Sequence, residues 1–301
     1  MNYKELDLNL IKVFLCVYEC KSILLASKKL YISQPAVTKS IKKLENFLNG
    51  TLFIRTSKGL VPTQEGEEFN SVCYKTLNYL QNGIDNFEQY TKNNKGTINI
   101  GSSSTIIRKL LMPFLKKFTI KYPNISLSIT DTNSQKLLKY LTHGDIDFAI
   151  LNTPVENHQS FNLIPIKQTF DCIIASKDFK KDFIYKEDLS KYPLILQKRP
   201  SNNRDFIDKI CINNNIEIKP KYEIGSFGLI TDFVKNNMGI AFTVKDFVQN
   251  EILNNEIKEI SSNLKFEPRQ IVVISLKQEK FSINKQVFIK EIISYFNKYL
   301  F

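Results

Sequence analysis

The sequence predicts an α/β protein fronted by a small helical domain, and three observations carry that prediction. At 301 residues the chain exceeds what one hydrophobic core usually holds. Its apolar pattern changes near Thr97, from helical periods before to alternating short strands and helices after. Half of the net charge of +12 falls in the first sixty residues, a density four times that of the remainder. Apolar residues make up 43% of the chain, enough for a buried core, which excludes a disordered or fibrous protein.

The elements follow in order. Leu8, Ile11, Phe14, Leu15 and Tyr18 form one helical stripe. A second helix is expected over 23–30 with Ser22 as its N-cap. A third follows Ser33, with Pro35 in its first turn, where the missing N–H costs nothing. In it Val37, Ile41, Leu44 and Leu48 face inward, and Gln34, Thr38, Lys39, Lys42 and Asn46 face out. Residues 52–54 and 60–61 read as a hairpin turning at Ser57-Lys58-Gly59. Pro62 ends it, and Thr63 caps a long helix with Glu65, Glu67 and Glu68 near its positive end.

In that long helix Cys73, Leu77, Leu80, Ile84 and Phe87 step by four and three, a short heptad seam that fits a dimerising helix better than the alternative, an amphipathic helix packed on its own domain. Gly66 and Gly83 weaken the helix, and Asn93-Asn94-Lys95-Gly96 reads as a linker. Strands are then expected at 97–101, 125–129, 148–151, 163–166, 172–176, 194–196, 219–224, 240–243 and 271–276. Helices are expected near 110–118, 134–142, 206–214, 229–236 and 284–298. Such alternation points to largely parallel sheets covered by helices, long enough for two lobes.

Composition excludes several function classes. No apolar run approaches the ~18–20 residues of a membrane-spanning helix, and the polar start carries no signal peptide. A soluble cytoplasmic protein is expected, without a membrane partner. Five cysteines show no metal-ligand or disulfide spacing, and Cys16 and Cys20 read as small core residues. The only histidines are His143, fitting the last turn of a helix, and His158. With no nucleophile–base constellation and no GxGxxG or Walker loop, neither an enzyme nor a cofactor or metal is expected. Asp145 and Asp147 read as the close of a helix and the start of a strand.

The most informative stretch is Ala26 to Glu45. A small residue in the second helix lets the third cross closely. A capped third helix with short side chains at its start can enter a DNA major groove. Ser33, Gln34, Pro35 and Thr38 are short or polar enough to reach base edges there, Lys39, Lys42 and Arg55 would hold phosphates, and Ala36 and Lys58 belong to the same DNA-binding set.

Residues 8–66 resemble the winged helix-turn-helix of LysR-type transcriptional regulators. The likeness rests on Ser33-Gln34-Pro35-Ala36-Val37-Thr38, on Leu52-Phe53 with Arg55, and on Thr63 with Gly66. Departures are Ser27, where the family usually has alanine, and Leu24-Leu25, where polar residues are common. The likeness continues through Tyr122-Pro123-Asn124-Ile125, residues 144–150 and Met238-Gly239-Ile240-Ala241-Phe242. It implies a DNA-binding domain over 1–62, a linker and dimerisation helix with hinge over 63–95, and an effector-binding domain over 96–301. The latter would be two-lobed, like periplasmic binding proteins, with lobe one at 96–161 and 268–301 and lobe two at 162–267. The implied partners are double-stranded DNA with dyad symmetry, a small effector, a second copy of the chain forming dimers and tetramers, and RNA polymerase. The rival reading is a solute-binding α/β module without a transcriptional role.

For the effector, Ser102-Ser103-Ser104-Thr105 follow the first strand, and residues 197–204 resemble the family's Ser-Gly-Thr-Arg-like stretch, with Ser201 and Asn203 at its polar positions. Hydroxyls, an amide and helix N-terminal N–H groups suit a small anion. These residues are expected to converge without a fixed carboxylate, beside the positive charges of Lys198, Arg199 and Arg204.

Overall fold

The computed structural model describes residues 6–56, 59–91, 96–155, 158–277 and 281–297. The chain falls into two compact units. One runs to Asn82 and includes Thr142–Gly144; the other comprises Gly83–Leu141 and the chain from Asp145 onward.

In the first unit, α1 (Leu8–Cys20), α2 (Ile23–Leu30) and α3 (Gln34–Leu48) precede the hairpin β1 (Phe53–Thr56) and β2 (Gly59–Pro62), and α4 (Gln64–Thr91) follows, its last residues from Gly83 belonging to the second unit. Side chains start the first three helices, Ser22 and Ser33 as the sequence suggests. Asp7 caps α1, Ser22 accepts from Leu25 N–H to open α2, and Ser33 accepts from Ala36 N–H to open α3. Lys21, Tyr31 and Asn49 close the three helices in the left-handed conformation.

Phe14, Val17, Ala26, Val37 and Leu44 are fully buried together, so the apolar stripes of α1 and α3 meet over the small Ala26. Glu45 reaches from α3 to accept the N–H groups of Leu52 (2.8 Å) and Phe53 (3.4 Å), fixing where the hairpin begins. The Thr63 hydroxyl accepts from Gly66 N–H at 2.9 Å. A Cβ on Gly66 would stand 2.2 Å from the Leu52 carbonyl oxygen, so α4 can start here only on glycine.

The second unit contains two sheets. Its elements are β3 (Gly96–Ser102), α5 (Ser104–Ile106), α6 (Met112–Lys121), β4 (Ile125–Asp131), α7 (Ser134–His143), β5 (Phe148–Asn152), β6 (Phe161–Thr169) and β7 (Asp171–Ser176). They continue with β8 (Phe183–Ile184), β9 (Leu194–Gln197), α8 (Asn202–Asn213), β10 (Pro220–Ile224), α9 (Phe227–Lys235), β11 (Ile240–Val244), α10 (Gln249–Leu253), β12 (Ile257–Ser262), β13 (Arg269–Leu276) and α11 (Ile283–Asn297). A π-helical turn, Ile107–Leu111, joins α5 to α6.

The first sheet has the order β4-β3-β5-β13-β6, the second β10-β9-β11-β7-β12-β8. In each sheet one strand runs against all the others. β13 runs antiparallel to β5 and β6, and β7 antiparallel to β11 and β12. The strands are otherwise largely parallel, as expected, and the two reversed ones, β13 and β7, are those by which the chain enters a sheet after crossing from the other. One correction concerns the lobe boundary. β6 pairs with β13 through Thr169, so the first crossing follows Thr169 rather than residue 161.

Candidate functional site

Two surfaces gather the residues with chemistry to offer. On the first unit, Gln34, Pro35, Thr38, Lys39 and Lys42 of α3 line one groove with Arg55 of β1. Lys21, Ser22, Ile23, Thr56, Gly59 and Leu60 complete it. Ser33 sits at the helix start as its cap, and Ala36, half buried, lies in the first turn. Lys58 lies outside the described residues.

Sequence reasoning missed Lys21. It ends α1 and stands far along the chain from the hairpin, yet its carbonyl accepts Leu60 N–H and ties the hairpin to the α1–α2 turn. Gly59, with φ +112°, makes the bend that sets this register. Leu24 and Leu25 are both exposed on α2, and Ser27 is buried with its hydroxyl donating to the Leu24 carbonyl at 2.9 Å.

The proposed dimer seam divides. Cys73 is buried in the core of the first unit, where desolvation raises its thiol to about 11. Leu77 packs against the same core. Leu80, Ile84 and Phe87 are exposed at 53%, 45% and 70%. Cys73 is therefore corrected from seam to core.

The second surface is a cleft of about 500 Å³ within the second unit, lined from both sheets. Ser103, Ser104 and Thr105 follow β3, Asn133 and Ser134 open α7, Ser201 to Asn203 open α8, and Ser226 and Phe227 open α9. These starts lie at the carboxyl ends of strands, where α/β sheets present helix N-termini to ligands. Ser103 and Ser201 spend their oxygens capping their own helices, on Ile106 N–H and Arg204 N–H.

Three expectations are corrected here. Ser102 does not face the cleft: it is fully buried in β3, and its hydroxyl donates to the Ile150 carbonyl at 2.7 Å. A carboxylate does line the cleft, since Asp131 accepts from Ser104 N–H at 2.7 Å. The expected positive charges are largely compensated as well. Arg204 is buried against Asp208 and Glu223, and Arg199 pairs with Asp208.

One cleft residue has no sequence signal. Arg269 lies at the start of β13, 2% exposed, and makes a two-pronged ion pair with Asp171 at 2.7 and 2.6 Å. It also donates to Asn203 Oδ1 at 2.7 Å and lies over the Phe206 ring at 4.0 Å. Burial raises the Asp171 carboxyl, an effect the Arg269 charge only partly offsets, and the same burial lowers the Arg269 guanidinium. The partners are 98 residues apart in sequence.

Comparison with known proteins bears on both surfaces. Residues 8–67 match the profile of the bacterial regulatory helix-turn-helix of the lysR family, and residues 91–296 match the LysR substrate binding domain. A probable RuBisCO transcriptional regulator of Cyanidioschyzon merolae is 26% identical over 92% of this chain and 91% of its own length. A full-length OxyR variant from Pseudomonas aeruginosa is similar in fold, with a TM-score of 0.72 at 17% identity over 96% of this chain and 94% of that one. The regulatory domain of Synechocystis CcmR, solved in complex with 2-PG, has a TM-score of 0.62 at 20% identity, covering 67% of this chain and 98% of that one. Both halves of the chain therefore lead to one family: the protein is a LysR-type transcriptional regulator, with a DNA-binding helix-turn-helix followed by an effector-binding domain.

Proposed function

We propose that this regulator reads a dyad-symmetric operator through the α3 groove and is controlled by a small oxyanion held in the cleft between its two sheets. The observation that carries the reading is the convergence of Ser103, Ser104, Thr105, Ser201 and Asn203 on one cavity with the starts of α7, α8 and α9. Hydroxyl, amide and N–H donors outnumber fixed charges there, which suits a carboxylate or a phosphate better than an apolar ligand. Binding would shift a balance between arrangements of the dimer on DNA, in proportion to its differential affinity for them. Exposed Leu80, Ile84 and Phe87 supply the contact between two copies, and larger assemblies and RNA polymerase complete the partners.

On the DNA side, Lys39, Lys42 and Arg55 act on phosphates, while Gln34 and Thr38 meet base edges. Binding, followed by fluorescence anisotropy, should weaken steeply with salt as counterions are released. Lys39→Ala should weaken cognate and unrelated DNA alike. Gln34→Ala or Thr38→Ala should instead cost about 1–3 kcal/mol of discrimination. Salt-insensitive binding by the wild type would refute the electrostatic assignment.

A further inference from the structure

A guanidinium only donates hydrogen bonds. Where Arg269 meets the Asn203 side chain at 2.7 Å, the amide atom facing it must therefore be the carbonyl oxygen. Arg269 has little freedom to do otherwise. Its Nε and one terminal nitrogen are committed to Asp171, its plane lies over Phe206, and it is 2% exposed. Asp171 and Arg269 are also the first residues of β7 and β13, the strands the chain follows out of its two crossings between sheets. The charge that fixes the amide is thus anchored where the backbone is least free to shift.

The other end of the amide has a different environment. Asn203 is half buried and lines the cleft. Its Nδ2 donates no hydrogen bond to the described residues. Two N–H donors are then left for whatever occupies the cavity.

We propose that Arg269 sets the ligand chemistry of the cleft: by holding the Asn203 carbonyl oxygen it turns the amide NH2 group into the cavity, so that the cleft takes its ligand through an oxyanion. Arg269 is a positioning residue, and Asn203 makes the contact. The inference rests on the cleft being the effector site and adds what selects the effector. Carboxylates and phosphate monoesters share the required chemistry.

Asn203→Asp tests it with almost no change of shape. Arg269 would hold one carboxylate oxygen, and the other would face the cavity as an acceptor. An acidic residue in the first turn of α8 is favourable to the helix, so the fold is retained. Asn203→Ser is the companion variant, because a hydroxyl held by Arg269 as acceptor still has its own proton to donate to the ligand. Calorimetric titrations of all three proteins would use small carboxylates, phosphate monoesters, and the neutral amide and alcohol counterparts of each.

The wild type should prefer oxyanions over their neutral counterparts. Asn203→Ser should keep that preference at lower affinity. Asn203→Asp should lose at least about tenfold on oxyanions and none on the neutral set, reversing the order. The split between the carboxylate and phosphate arms tells which of the two is the natural headgroup. Equal losses on charged and neutral ligands, or loss of the preference in Asn203→Ser, would overturn the role of Arg269 and leave the cleft as the site. If no oxyanion binds the wild type, the cleft reading falls and takes this inference with it.

Discussion

Single residues in this protein show how little of a side chain's role is written beside it. Asn70 lies within α4 and is fully buried in the first unit, yet neither end of its amide has a hydrogen-bond partner among the described residues. A buried amide without partners costs the desolvation it never recovers. Asn70→Leu should therefore stabilise the protein by about 1–2 kcal/mol, read from the midpoint of denaturant unfolding. A lower midpoint would mean that an ordered water serves the amide. Nothing around position 70 announces this, because polarity on a helix predicts exposure. Ser102 misleads in the same way: a serine after a strand reads as a ligand contact, whereas here it satisfies the carbonyl of a neighbouring strand. Helix caps are readable, because Ser22 and Ser33 act on N–H groups three residues away. Arg269 is not, because its partners come from three other segments of the chain.

At the scale of elements, α4 carries two faces in succession. Its first half closes the core of the DNA-binding domain through Cys73 and Leu77, and its second half leaves Leu80, Ile84 and Phe87 exposed. The heptad count makes one seam of all five, since periodicity shows which residues share a face but not what covers it. If the exposed half forms the proposed contact between two copies, Leu80→Glu together with Ile84→Glu should dissociate them in sedimentation and collapse operator affinity, while the domain stays folded. Cys73→Ala should instead lower stability by about 1 kcal/mol without dissociation. A double variant that remained dimeric would place the contact elsewhere. Strands with branched apolar runs, such as β5, β7 and β13, are legible in the sequence. β12 is not, because its Ile-Lys-Glu-Ile-Ser-Ser sequence buries only Ile257 and Ile260, and β8 is only two residues long.

For the whole molecule, control requires that ligand and DNA affinities be separable. Thr105→Val keeps the size of the side chain and removes a hydroxyl from the cleft wall. It should cost about 1–3 kcal/mol in effector affinity if that group bonds the ligand, and leave DNA affinity without effector unchanged. Calorimetry beside a DNA titration measures both, and loss of DNA binding would indicate misfolding. The threading of the chain adds a constraint of its own. β13 is the fourth strand of the first sheet, between β5 and β6, yet it is made after the whole second sheet. On the ribosome, the DNA-binding domain is complete before either sheet, whereas the first sheet waits with a gap until Arg269–Leu276 emerge. Nascent chains held short of Arg269 would already carry a finished reading head. Truncated products could occupy operators without being able to respond, and a nonsense mutation late in the gene would then act against the intact allele rather than merely lose function.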